Sequence, residues 1–162
     1  MATPQVIKLH TLSGHNDCIY TLQSARVSNQ FFSGAGDGMV VLWDLVKPTD
    51  GQLIAKLENS VYALHHLAET NQLIVGHNYD GIHLIDWKNR VETGSLNFTT
   101  AAIFDIVSYG NIIFVATADG VVYAIDHHKL RIVNSVKLSD KSARTLAINT
   151  KSGELAVGYL LE

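Results

Sequence analysis

Short runs rich in Val, Ile, Leu, Tyr and Phe alternate along the chain with Gly, Asn and Asp. Early in the sequence the runs are Ile19 to Ala25, Gln30 to Gly34, Met39 to Asp44 and Gln52 to Leu57. Runs of this length, punctuated by turn formers, predict strands. No stretch sustains apolar residues at helical spacing behind a capping residue. Asp37-Gly38 and Asp119-Gly120 fall between the second and third runs of their segments. Such pairs tolerate the positive φ of tight hairpins, so they predict antiparallel neighbours.

The pattern recurs. SGAGDGMVVLWDL from Ser33 aligns without gaps over VGHNYDGIHLIDW from Val75 and VATADGVVYAIDH from Val115, and VGYLLE begins at Val157. The offsets are 42, 40 and 42 residues. Upstream, IYTL from Ile19, VYAL from Val61, IFDI from Ile103 and ARTL from Ala143 recur at offsets of 42, 42 and 40. Four short antiparallel strands per forty-odd residues is the blade of a β-propeller. A blade is flat and apolar on both faces, so it must stack on its neighbours. The expected fold is all-β, a propeller of about three and a half blades in an incomplete ring. Blade 1 is expected at about 15–57, blade 2 at 58–98, blade 3 at 99–139 and the start of blade 4 at 140–160. Residues 5–12 are expected to form an orphan outer strand, and 161–162 read as a cloning remnant.

Blade 1 resembles a WD repeat. Gly14-His15 precedes its first strand, Ser33 lies in the second, Asp37 in the turn, and Trp43-Asp44 ends the third. The resemblance implies a buried hydrogen-bonded tetrad of His15, Ser33, Asp37 and Trp43. It implies a structural role for them, although a His-Ser-Asp set superficially suggests a hydrolase. The other blades depart from the motif. Leu57, Tyr79 and Ile85 replace His15, Asp37 and Trp43 in blade 2, and blade 3 keeps Asp119 but has Ile125 in the Trp position. The resemblance further implies a piece of a longer propeller, such as the N-terminal half of a seven-bladed ring.

Composition changes this picture little. The 162 residues are 47% hydrophobic with a net charge of -3 and no basic stripe, which argues against nucleic acid as a partner. No run approaches the eighteen or so apolar residues of a membrane span, so no membrane role is expected. One cysteine, Cys18, is expected to be half-buried and fits a reducing, cytoplasmic setting. Eight histidines draw attention, among them His65-His66, His77, His83 and His127-His128. His83 and His65 could face one another across a blade, but no metal-ligand spacing requires it. The sequence therefore assigns no catalytic residue, no metal ligand and no cofactor.

The expected function is a non-catalytic scaffold that binds a protein or peptide. Its binding face would carry Asn16, Asp17, His77, Asn78, Tyr79, Phe98, Thr99 and Thr117, with Tyr79 and Phe98 as anchors. Self-association through open blade edges is also expected, residues 5–12 of one chain pairing beside 154–158 of another. The alternative is a propeller hydrolase or lyase with a His or metal site near the central channel.

Overall fold

A computed structural model describes residues 3–160. The Leu161-Glu162 pair read as a cloning remnant lies outside the described residues. Blade 1 contains β1 (Ile19–Ser24), β2 (Gln30–Ala35), β3 (Met39–Asp44) and β4 (Gln52–Lys56). Blade 2 contains β5 (Val61–His66), β6 (Gln72–His77), β7 (Gly81–Asp86) and β8 (Val91–Leu96). Blade 3 contains β9 (Ile103–Tyr109), β10 (Ile112–Thr117), β11 (Val121–Asp126) and β12 (Arg131–Lys137). β13 (Ala143–Asn149) and β14 (Glu154–Tyr159) form a two-stranded start to blade 4. Every sheet is an antiparallel meander in sequence order, and no helix occurs among the described residues.

The first strand of each blade packs against the first strand of the next, β1 on β5, β5 on β9 and β9 on β13. That arrangement gathers the blades around a common axis. One row of rings follows it, because Tyr20, Tyr62, Phe104 and Arg144 hold the same place in successive repeats. Tyr20 and Tyr62 lie 4.4 Å apart and Tyr62 and Phe104 5.6 Å apart, ring centre to ring centre. The Arg144 guanidinium covers the Phe104 ring at 3.8 Å.

The core lies in the joints between blades. Phe32, Val40, Leu42 and Ile54 of blade 1 meet Val61, Leu64, Leu73, Val75 and Ile85 of blade 2. One repeat on, Ile74, Ile82 and Leu84 with Leu96 meet Ile103, Ile106, Ile113, Val115 and Ile125. The same positions are reused, so each blade has one face that receives and one that inserts. Close approach requires small residues at one point. A Cβ on Gly34 would stand 2.5 Å from Val61 Cγ1, and one on Gly76 would stand 2.5 Å from Ile103 Cγ2. In the next joint the pair is Ala116 and Ala143, both buried in one cluster.

Residues 5–12 correct an expectation. They form no strand. An outer strand needs a sheet edge to pair with, and blade 4 offers only two strands among the described residues. Val6, Ile7 and Leu9 are consequently exposed. Cys18 is a second correction, since it is exposed rather than half-buried.

Candidate functional site

Three places on the arc carry distinctive chemistry. The first is the tetrad of blade 1. His15 approaches from the segment before β1, Ser33 from β2, Asp37 from the β2–β3 turn and Trp43 from β3. His15 Nδ1 donates to the Asp37 carboxylate at 3.1 Å. His15 Nε2 lies 2.7 Å from Ser33 Oγ, and Trp43 Nε1 donates to the same oxygen at 2.8 Å. With Nδ1–H committed to Asp37, His15 Nε2 accepts the Ser33 hydroxyl proton. The Asp37 carboxylate also accepts from the backbone N–H groups of Asn16 and Met39, at 2.8 and 2.9 Å. Burial pushes the Asp37 carboxyl up, but those two N–H groups and His15 outweigh it and hold it below the usual carboxylate range. The four side chains thus tie the loop before β1 to the hairpin and to the end of β3. Ser33 is fully buried and Trp43 nearly so, and Ser33 Oγ is engaged on both sides, so it offers no open nucleophile.

The repeated aspartates after the third strands are also structural. Asp44 accepts from Val46 N at 2.8 Å, Asp86 from Asn89 N at 3.0 Å and Asp126 from Lys129 N at 3.0 Å. These are side-chain-stabilised turns.

The second place is the open face of blade 1. Ile19, Leu22 and Phe31 stand where blade 2 carries Val61, Leu64 and Leu73. Val61 and Leu64 are 0% and 5% exposed, whereas Ile19 and Leu22 are 52% and 65% exposed. Together with Leu12, His15 and Trp43 they line an open cleft of about 450 Å³. At the opposite end, Phe114, Val122, Ala124, Val136, Leu155 and Val157 line an apolar groove of about 240 Å³.

The third place is a cluster in blade 2. His77 Nε2 and His83 Nε2 are 2.7 Å apart, and ligand atoms of His77, Asp80 and His83 all lie within 4.8 Å of one another. Burial, and then the neighbouring His83, lower the pKa of His77. The cluster opens on a cavity against β4, the outer strand of blade 1, and not on the inner strands. The cluster thus lies away from the inner strands, where the enzyme alternative expected its site.

The predicted binding face is only partly available. Asn16, Asp17 and Tyr79 are exposed and Asn78 is half-buried. Thr117 is fully buried, its hydroxyl 2.6 Å from Asp119 Oδ1 and 2.7 Å from the Val121 carbonyl oxygen. His77 is buried in the cluster just described. Phe98 packs edge-on against Tyr123 at 4.8 Å and joins the joint between blades 2 and 3. Thr99 Oγ1 accepts from the Ala101 N–H at 3.0 Å and shapes its own loop. Apolar neighbours or local turn partners claim these groups before a ligand could.

The His83–His65 pairing that the sequence left open does not form. His83 is register-paired with Val75, and His65 with Ile74, so the two rings leave opposite faces of the sheet. His65 Nε2 instead reaches Ser108 Oγ of blade 3 at 2.8 Å. The His77–His83 contact follows from the hairpin register, which makes the two residues diagonal neighbours on one face.

This architecture is a β-propeller arc, and comparison with solved structures agrees. The β-propeller domain of Myceliophteria thermophila Cps50 (Swd1) superposes with a TM-score of 0.78 at 23% identity, over 93% of this chain and 52% of that one. The computationally designed Ika8 protein gives 0.72 at 24% identity, over 93% of this chain and 48% of that one. The designed Ika4 protein gives 0.73 at 23% identity, over 96% of this chain and 99% of that one. The chain thus spans about half the length of the first two. No curated protein matches it. The family model described as "WD domain, G-beta repeat" matches residues 7–44, the segment that holds the whole tetrad. Residues 7–44 thus match a WD repeat, in a chain with the fold of a β-propeller arc.

Proposed function

We propose that this chain is a non-catalytic protein-interaction scaffold of the WD-repeat type, acting as one arc of a larger ring. The observation that carries the reading is the open face of blade 1. Its apolar residues occupy positions that blades 2 and 3 bury against a preceding blade, so the face is shaped to receive one. An exposed apolar patch of this kind marks an interaction site. The blade it receives comes from a second copy. The repeats share one set of insertion and reception positions, and two arcs of this length give about eight blades, within the range of closed rings. Residues 5–12 of one copy then add a third strand beside β14 of the other. The Ika4 neighbour is a chain of about this length and the Ika8 neighbour one of about twice it, which supports this count. Asn16, Asp17 and Tyr79 remain free to hold a protein or peptide. The exposed thiol of Cys18 suits a cytoplasmic setting.

Size-exclusion light scattering from about 1 to 100 µM tests the reading, a range that brackets ordinary self-association constants. The expected mass is twice the 17.7 kDa of the chain. Leu22→Arg is expected to give a monomer with unchanged β-sheet circular dichroism. A monomer across the range, or a dimer indifferent to Leu22→Arg, overturns closure by a second copy.

A further inference from the structure

The hairpin of blade 2 holds a set of donors that the other blades lack. At the positions of His77, Asp80 and His83, blade 1 has Ala35, Gly38 and Val41, and blade 3 has Thr117, Gly120 and Tyr123. The turn is rebuilt around the substitution. Blades 1 and 3 place Gly38 and Gly120 at φ of 75° and 80°, but Asp80 takes that position in blade 2. The glycine moves to Gly81, at φ 84°, and Tyr79 adopts φ 74°.

The register pairs His77 with Gly81 and Val75 with His83, which puts both imidazoles on the face turned toward blade 1. His83 Nδ1 lies 3.2 Å from Glu92 Oε1. An ionised carboxylate only accepts, so Nδ1 carries the hydrogen and His83 Nε2 presents a lone pair. A carboxylate behind the far nitrogen is how metal-bound histidines are oriented. His77 is 2% exposed, and its Nδ1 has no hydrogen-bond partner.

We propose that His77, Asp80 and His83 bind a divalent transition-metal ion of the Zn²⁺ class, with Glu92 as the positioning residue for His83. Two imidazoles and a carboxylate are a donor set that suits this class. Zinc–nitrogen bonds of about 2.0–2.1 Å at tetrahedral angles place the two nitrogens about 3.3 Å apart. Seating the ion would open the 2.7 Å pair by about 0.6 Å, a shift that falls to His83, whose side chain keeps 15% of its surface exposed. A fourth position faces the cavity of about 320 Å³ between the blades, which Glu58 also lines. The two cations of that cavity are turned away to other partners. Lys56 Nζ donates to the Asp37 carbonyl, and Arg90 Nη2 donates to Gln52 Oε1 at 3.2 Å. The site stands independently of the scaffold reading, and its test does not involve oligomeric state.

Zn²⁺ is titrated by calorimetry into tag-free, chelator-treated protein, and Co²⁺ binding is followed in the visible spectrum. One equivalent per chain is expected, with the intense Co²⁺ bands of a four-coordinate site. His83→Gln and Asp80→Asn are each expected to weaken Zn²⁺ at least tenfold, and Glu92→Gln about tenfold. Asp80 lies in an exposed turn, so its variant folds, and circular dichroism verifies this for the others. His128→Gln, away from the cluster, leaves affinity unchanged. Absence of saturable binding, or binding that survives both His83→Gln and Asp80→Asn, overturns the proposal.

Discussion

Where β2 of blade 1 carries Ser33, β6 of blade 2 carries Val75; where β3 carries Trp43, β7 carries Ile85. In blade 1 these positions, with His15 and Asp37, form a chain of hydrogen bonds with a donor for each acceptor. In blade 2, Val75 and Ile85 are buried among apolar neighbours from both blades. The backbone is nearly the same four-stranded meander in each. The polar network is thus one way of fixing a blade and not a condition of having one. Blade 2 has a covered receiving face and holds itself by apolar burial. Blade 1 has an uncovered receiving face and holds itself by directed bonds, which keep their geometry without a neighbour.

The contrast is easiest to break at matched positions. Leu73→Ala in blade 2 empties a fully buried site and is expected to cost about 2–5 kcal/mol by chemical denaturation. The matched Phe31→Ala in blade 1 removes a half-buried side chain and is expected to cost clearly less. Equal losses would mean that blade 1 is as well covered as blade 2.

Ser33→Val imports the blade 2 residue alone. It leaves the Trp43 N–H and the His15 Nε2 without a partner and is expected to cost about 2–3 kcal/mol. Adding Trp43→Ile completes the blade 2 pattern at those two positions and removes the stranded indole donor. The double variant is therefore expected to lose less than the sum of the single losses. Strict additivity would show that the two groups do not work as a unit.

The smallest effect is the difference in acid response. Asp37 has a depressed folded pKa, so its contribution is full above its unfolded value of about 4 and fades as pH falls through the folded one. His65 and His66 in blade 2 are also depressed, chiefly by burial. Folding holds them neutral, so their contribution is full above about pH 6.5 and fades as pH falls from there toward their folded values. Urea midpoints measured from pH 8 to pH 3 are expected to drop in two stages. His66→Phe should flatten the upper stage and Asp37→Asn the lower one. A single transition insensitive to His66→Phe would erase the distinction.

The same contrast explains what could be read from the sequence. Strands, hairpins and period were legible because alternation, Asp-Gly turns and a fixed offset each report on local backbone. The tetrad was legible because its four residue types sit at recognisable spacings in one repeat. Burial of Phe98, His77 and Thr117 was not legible, since it depends on which face the next blade covers. The His77–Asp80–His83 cluster escaped for a related reason. It needs the hairpin register and the parity of side chains across two strands, and neither shows in a list of histidines. Residues 5–12 misled because alternation marks a capacity to pair, whereas a strand exists only where an edge is offered.

The row of rings along the inner strands gives the molecule a built-in gauge of its own curvature. Tyr20 and Tyr62 belong to different blades, yet their rings are close enough to couple optically. The Tyr20 phenol is held above its usual pKa, first by Tyr62. Near-ultraviolet dichroism and alkaline titration of this pair would register any hinge between the first two blades, with no label attached.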